Sequence, residues 1–173
     1  GAGLSITEFN ETIAKADNMS DEEKEELINN REFYPSYMWN TVGWLADKLN
    51  LTPTKITSKC IPTTCNEDIH SETLKMDIPS NNATGMSAVA TLETKEGITI
   101  EAECIGKVYS KDDFDKNEWT IFGEPNTTMT INKPNTVELT CADIANRIPD
   151  VIASTPGFIP TSELREPKYK LKY

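Results

Sequence analysis

The chain has 173 residues, room for one ordinary domain with its own core. Its 28 acidic residues against 17 basic ones give a net charge of -11, which argues against nucleic acid or anionic membrane as a principal partner, because neither counterion release nor lipid attraction rewards an acidic surface. No apolar run is long enough to span a bilayer, and Gly1-Ala2-Gly3 is neither an apolar nor a basic leader, so a cytoplasmic location is expected.

Ser5 and Glu8 have the spacing of a capping box, and Phe9, Ile13 and Ala16 follow on one face, which predicts a short opening helix. Residues 18–30 carry Asp21, Glu22, Glu23, Glu25 and Glu26, with Ser20 as cap and only Leu27 and Ile28 to bury; they read as an exposed acidic turn or helix. Over residues 35–49 an apolar stripe of Met38, Val42, Leu45, Ala46 and Leu49 predicts a core helix, capped by Ser36 and closed by Asn50. Tyr34, Tyr37, Trp39 and Trp44 make this the most aromatic stretch, and packing against a sheet or another subunit explains them more simply than a ligand pocket.

Residues 54–64 are rich in β-branched side chains and predict a strand. Residues 87–94 and 98–108 flank Lys95-Glu96-Gly97 as a hairpin, in which Ile98, Ile100, Ala102 and Cys104 face one way and Thr99, Glu101 and Glu103 the other. Short strands are expected at 118–122 and 127–131 around Gly123-Glu124-Pro125-Asn126, and residues 132–135 turn the chain into a last helix. There Ile144, Ile148, Val151 and Ile152 recur at helical spacing, with Thr140 as expected N-cap, Pro149 as a kink and Pro156-Gly157 as the stop; the pattern predicts a buried amphipathic helix, followed by an extended polar tail. Helices at both ends of a run of strands predict an α+β fold, a mixed, largely antiparallel sheet with helices packed on one face, and no linker or repeat marks a second domain.

The four cysteines, Cys60, Cys65, Cys104 and Cys141, have no zinc spacing, so no metal site is expected. Cys104 and Cys141 read as small buried hydrophobes, and a Cys60–Cys65 disulfide belongs only to an exported reading of the chain. The Asn-x-Ser/Thr triplets at Asn10, Asn18, Asn50, Asn82 and Asn126 would be glycosylation sites under that reading, but a chain rich in Asn and Thr produces them by chance. The single histidine, His70, lies in a polar stretch, residues 65–72, that reads as a loop. A dinucleotide site needs a strand, a Gly-x-Gly-x-x-Gly turn and a helix N-terminus; the chain offers only Gly1-Ala2-Gly3, and no cofactor-binding site is expected in it.

Motifs in order along the chain resemble the C-terminal domain of the 2,4-diaminopentanoate dehydrogenase group, NAD(P)H-dependent amino-acid dehydrogenases similar to dihydrodipicolinate reductase. They are Gly3-Leu4-Ser5 followed by Glu8-Phe9, Leu45-Ala46-Asp47-Lys48-Leu49, the Gly97 strand pair, Gly123-Glu124-Pro125, Asn146-Arg147-Ile148-Pro149-Asp150-Val151-Ile152 and Pro156-Gly157-Phe158. The resemblance spans nearly the whole chain, and their order carries more than any one of them. It implies a single substrate-binding and dimerisation domain over residues 1–173, an N-terminal dinucleotide-binding domain that this chain lacks, a homodimer, and NAD or NADP in the full-length parent. By itself the chain would be inactive.

Lys75-Met76-Asp77-Ile78-Pro79-Ser80 resembles the Lys-x-Asp-x-Pro-Ser core of the reductase motif, in which paired histidines and the lysine meet the substrate's carboxylates. The sequence departs from it: His70 has no histidine neighbour and stands one position too far from Lys75, and Asn81-Asn82 replace the expected Gly-Thr. An amino-acid substrate fits the altered motif better than dihydrodipicolinate. His70 and Lys75 are therefore substrate-binding candidates. Glu124, at a turn, is a candidate for a substrate ammonium, and Asn146 and Arg147 are candidates on the last helix, where Arg147 either clamps a carboxylate or pairs with Asp143 or Asp150. Tyr37 is the weakest of the set. The alternatives are a dihydrodipicolinate reductase-like imine reductase domain and a free-standing secreted binding module.

Overall fold

The structure, a computed structural model, describes residues 2–20, 22–24, 26 and 38–166. The chain divides into two compact units, Gly1–Ser110 and Lys111–Tyr173, at a boundary that no linker-like composition marks in the sequence. Within them the fold is α+β, and its strands fall into a three-stranded sheet and two separate two-stranded hairpins, every pairing antiparallel. Among the described residues no helix is long and apolar enough to cross a membrane.

The first unit opens with α1 (Ile6–Asp17), started by the expected capping box. The Ser5 hydroxyl accepts from the Glu8 N–H at 3.3 Å, and the Glu8 carboxylate accepts from the Ser5 N–H at 2.9 Å. These hydrogen bonds from the Ser5 side chain, then its backbone, hold the Glu8 carboxyl below its ordinary pKa. Helix α2 (Met38–Lys48) ends as the sequence predicts: Asn50 takes a left-handed φ of +54°, and the Leu51 N–H reaches back to the Ala46 carbonyl at 2.8 Å. The expected Ser36 cap and the aromatic residues Tyr34 and Tyr37 lie outside the described residues.

Strands β1 (Pro53–Thr64), β4 (Ala83–Thr94) and β5 (Thr99–Lys107) form the sheet, in the order β1-β4-β5. Strand period puts alternate residues on opposite faces. On one face Ala90 and Leu92 pack against Val42 and Ala46 of α2, with Ile100 and Ala102 alongside. Val42 and Leu92 are buried almost completely, and each contributes on the order of 1.5–3 kcal/mol. The other face of the same strands carries Lys55, Thr57, Lys59 and Ile61 on β1, and Thr99, Glu101, Glu103 and Ile105 on β5, all exposed.

Between β1 and β4 the chain makes an excursion whose first part, residues 65–72, reads as a loop in the sequence. It contains β2 (Ile69–Ser71) and β3 (Met76–Ile78), a small antiparallel hairpin that places His70 on a strand and Lys75 in its turn. Strands this short lie below the length at which alternation is recognisable, which is why the pattern failed here. The excursion is closed by the Asn81 N–H on the Cys65 carbonyl at 2.8 Å, the Ser80 N–H on Asp68 at 2.7 Å, and the Ser80 hydroxyl on the Asn66 carbonyl at 2.9 Å.

The second unit holds β6 (Lys116–Ile121), β7 (Thr127–Asn132), α3 (Thr136–Ala153) and a short 3-10 turn, Thr161–Glu163. The hairpin has two faces. Trp119 stands opposite Met129, beside Ile121 and Ile131, while Glu118 on the other face binds Lys116 at 3.2 Å and the Thr130 hydroxyl at 3.3 Å. Helix α3 begins earlier than the sequence predicts. Asn135, not Thr140, caps it, accepting from the Glu138 N–H at 3.1 Å, while the Thr140 hydroxyl donates to the Thr136 carbonyl one turn back. The expectation of a buried helix is also corrected: Ile144, Ile148, Val151 and Ile152 are all exposed, and the helix's one buried residue is Asp150. The stripe is amphipathic as read, but nothing among the described residues of the second unit covers it. Cys141, expected to be buried, is exposed, Cys104 is half-buried, and all four cysteines are free.

Candidate functional site

The β2–β3 register sets His70 directly opposite Asp77. His70 Nδ1 lies 2.6 Å from Asp77 Oδ1, and its Nε2 lies 3.6 Å from Glu72 Oε1. The other oxygen of Glu72 accepts from Lys75 Nζ at 3.2 Å. The turn thus carries a chain of alternating charge, Asp77, His70, Glu72, Lys75, exposed along its length. A carboxylate on Nδ1 fixes the plane of an imidazole and leaves Nε2 to exchange a proton with whatever approaches, the arrangement used for general acid–base work. A lysine ammonium held by a single exposed carboxylate is readily surrendered to a substrate carboxylate, because such a surface pair contributes little.

Lys75 has φ +54° and Asn81 φ +64°, both in the left-handed region that favours glycine. Asn81 occupies the position where the resembling motif has Gly, and asparagine is among the side chains best able to take that conformation. Gly3, with φ +90°, packs beside this hairpin: its N–H donates to the Ala83 carbonyl at 2.8 Å, its carbonyl accepts from the Asn82 amide at 3.0 Å, and a Cβ on it would meet the Met76 methyl at 2.5 Å.

Gly3 and the start of α1 are also where a dinucleotide would be sought, and these residues do not fit one. The space over Gly3 is filled by Met76, and the positive end of α1 is already taken by the Glu8 carboxylate, the site where a pyrophosphate would have to sit.

The remaining candidates belong to the second unit. Glu124 lies between β6 and β7, next to a cis bond to Pro125, in a turn closed by the Gly123 N–H on the Asn126 side chain at 2.9 Å. Arg147 is already engaged: its Nη1 donates to the Arg165 carbonyl at 2.5 Å and lies 3.6 Å from the buried Asp150 carboxylate, which Arg165 also contacts. Of the roles read from the sequence, pairing with Asp150 is the one the geometry displays. Asn146 is half-buried beside it, and Tyr37 lies outside the described residues. Two shallow grooves, one along α1 at Glu11, Lys15 and Asn18 and one past the end of α3 at Val151, Pro156 and Leu164, are lined by none of the candidates.

Glu72 and Asp77 as partners of His70, and Arg165 as a further partner of Arg147 and Asp150, are not named by the sequence reading. The signal for the first pair was present in the pattern: Ile69 and Ser71 against Met76 and Ile78 leave His70 and Asp77 on one face across a tight turn. Cys60 is no nucleophile candidate, since burial, and secondarily the charge of Asp17, pushes its thiol pKa up. Among the described residues no group of acidic, histidine or cysteine side chains is placed to hold a metal ion.

No protein-family model matches the chain, and no curated protein matches it. Among solved structures, an amine dehydrogenase from Mycobacterium smegmatis matches 99% of this chain with a TM-score of 0.76 and 30% sequence identity. The chain spans 46% of that protein, whose remainder has no counterpart here. Over the portion they share, the two chains have one fold, and the fold of this chain is dehydrogenase-like.

Proposed function

We propose that this chain is the substrate-binding and dimerisation part of an NAD(P)H-dependent dehydrogenase that acts on the amine-bearing carbon of an amino acid, of the 2,4-diaminopentanoate dehydrogenase kind. The observation that carries the reading is the hairpin cluster, an oriented imidazole and a lightly held ammonium on one exposed turn, within a fold shared with an amine dehydrogenase. In this reading Lys75 leaves Glu72 to bind the substrate carboxylate, and His70, steadied by Asp77, carries a proton at Nε2. Glu124 is the candidate partner of a substrate ammonium. Arg147 takes a structural part around Asp150, and Asn146 and Tyr37 stand as minor substrate-binding candidates.

NAD or NADP supplies the hydride chemistry in the parent and is held by an N-terminal domain outside this chain. The misfit at Gly3 and α1 supports that division of labour. The rival reductase reading is weakened by the lone histidine, whose partners are carboxylates. The exported-module reading is weakened by Asn82 and Asn126, whose side chains are spent on Gly3 and Gly123, and by the free cysteines.

The test is amine-dependent NAD(P) reduction by the full-length protein over a panel of amino acids and diamino acids. Turnover that collapses in His70→Asn and Lys75→Ala, with the fold intact by circular dichroism, is the expected result; no turnover with any amine, or turnover indifferent to both changes, sinks the reading.

A further inference from the structure

When Lys75 turns to a substrate carboxylate, Glu72 loses its partner, and its place in the turn fits it for another. The Leu74 N–H donates to the hydroxyl of buried Ser71 at 3.2 Å, which pins the tip and brings Glu72 and Lys75, three residues apart, into contact. Glu72 faces two ways. One of its oxygens accepts from Lys75 Nζ at 3.2 Å, and the other lies 3.6 Å from His70 Nε2, the open side of a ring whose Nδ1 is held by Asp77. The Glu72 and Lys75 side chains are 82% and 78% exposed, so each can turn to a ligand without uncovering any core. Charge decides which ligand suits them. Around the tip stand two carboxylates, Asp77 and Glu72, one ammonium and one imidazole, an excess of negative groups that disfavours a dicarboxylate. A simple carboxylate meets Lys75 but has Glu72 as a rival, and a simple amine meets Glu72 but has Lys75 as a rival. A zwitterion escapes both. Its carboxylate pairs with Lys75 and its ammonium with Glu72, so one ion pair between exposed groups opens, two form, and each charge has only opposite neighbours.

We propose that Glu72 is the ammonium-binding residue of this turn, and that with Lys75 it selects α-amino acids over plain amines and plain carboxylic acids. This role rests on the reading above and adds to it the residue that sets the substrate class. An α-amino acid carries both of its charged groups on one carbon, so it matches a carboxylate and an ammonium that already touch. The bound ammonium lies beside His70 Nε2, the atom that carries a proton in that reading, so the residue that recognises the amine also presents it. Glu124, in the second unit, remains the candidate for any second ammonium. Discrimination comes from the group left alone: a ligand without the ammonium leaves Glu72 facing its carboxylate, and a ligand without the carboxylate leaves Lys75 facing its ammonium.

Ligand titrations of the full-length protein at pH 7, followed by NMR on the imidazole signals of His70 and run without NAD(P), test the proposal. Loss of those signals in His70→Asn identifies them. The probes are alanine, propionate, which lacks the ammonium, and ethylamine, which lacks the carboxylate. Alanine is expected to bind the parent about tenfold more tightly than either. Glu72→Gln, with the fold intact by circular dichroism, should reverse the order: alanine weakens about tenfold, while propionate, freed of its rival, gains about two- to fivefold. A parent that does not favour alanine overturns the proposal, and so does a Glu72→Gln protein in which alanine and propionate move together or stay where they were. Reversed affinities without turnover of any amine remove the dehydrogenase reading and leave an amino-acid site, whereas turnover with affinities that do not reverse removes only the part given to Glu72.

Discussion

Replacing Lys75 separates what its backbone needs from what its ammonium does. Its left-handed φ of +54° costs a side chain about 1 kcal/mol, which glycine avoids while losing roughly 0.5–1 kcal/mol of unfolded-state advantage. The ion pair with Glu72 joins two exposed groups and contributes a few tenths of a kcal/mol at most, by the usual magnitude of about 0.2–1 kcal/mol discounted for solvent. Both Lys75→Gly and Lys75→Ala are therefore expected within about 1 kcal/mol of the parent in urea denaturation. Activity is expected to behave differently. A hydrogen bond from an ammonium to a substrate carboxylate contributes about 1.5–3 kcal/mol, so kcat/KM should fall roughly 10- to 100-fold in both variants, mainly through KM. Initial rates of NAD(P) reduction by the best diamino acid give the comparison. Rates within twofold of the parent would refute the binding role, and a loss of more than about 2 kcal/mol of stability would show that the turn itself depends on the lysine.

Leu92→Ala removes a side chain packed against Val42 and Ala46, and should destabilise the first unit by about 2–5 kcal/mol in chemical denaturation; a loss below about 1 kcal/mol would mean that the α2–sheet contact is not the core. Glu96 accepts from the Thr52 N–H at 2.9 Å and its hydroxyl at 2.8 Å, bonds that lower its pKa below 4.5. A depressed folded-state pKa gives stability that is whole above pH 4.5 and lost as pH falls through the lowered value, so Glu96→Gln should flatten the acid limb of a stability–pH curve; an unchanged slope contradicts the linkage. Asp150→Ala strands Arg147 without its buried carboxylate and should cost about 3 kcal/mol, visible as early melting of the second unit by hydrogen exchange, whereas Arg165→Ala, at an exposed partner, should cost far less. Thiol titration should label exposed Cys141 first and Cys60 last, and equal rates would argue against the burial that raises the Cys60 pKa.

What was legible in the sequence follows the length of the repeating signal. The Ser5–Glu8 box, the Val42–Ala46 stripe and the alternation from Thr99 to Glu103 each repeat a local rule several times, and each appears in the structure where the pattern placed it. The β2–β3 hairpin repeats nothing. Its strands are fixed by pairing across a turn, and the partners of His70 exist only in that register. The apolar stripe of α3 marks a second limit. Ile144, Ile148 and Val151 specify a face that avoids water, but the spacing of apolar residues cannot say whether the cover lies in the same chain. Asn81 marks a third, since its left-handed φ is a property of the backbone that the letter alone does not announce.

The position of the β2–β3 hairpin in the chain sets how this domain can diversify. Residues 65–82 leave the sheet after β1 and rejoin it at β4, its immediate antiparallel neighbour, and the exit is latched by Asn81 on Cys65. Everything between those points is an insertion into what is otherwise a long two-stranded ribbon. The exposed side chains of its turn can change while buried Ser71 and Ile78, the Thr64–Ala83 register and the packing of α2 on the sheet persist. If the hairpin binds substrate as proposed, a library confined to its exposed turn, Glu72 to Lys75, samples new recognition while buried Ser71 and Ile78 stay in place.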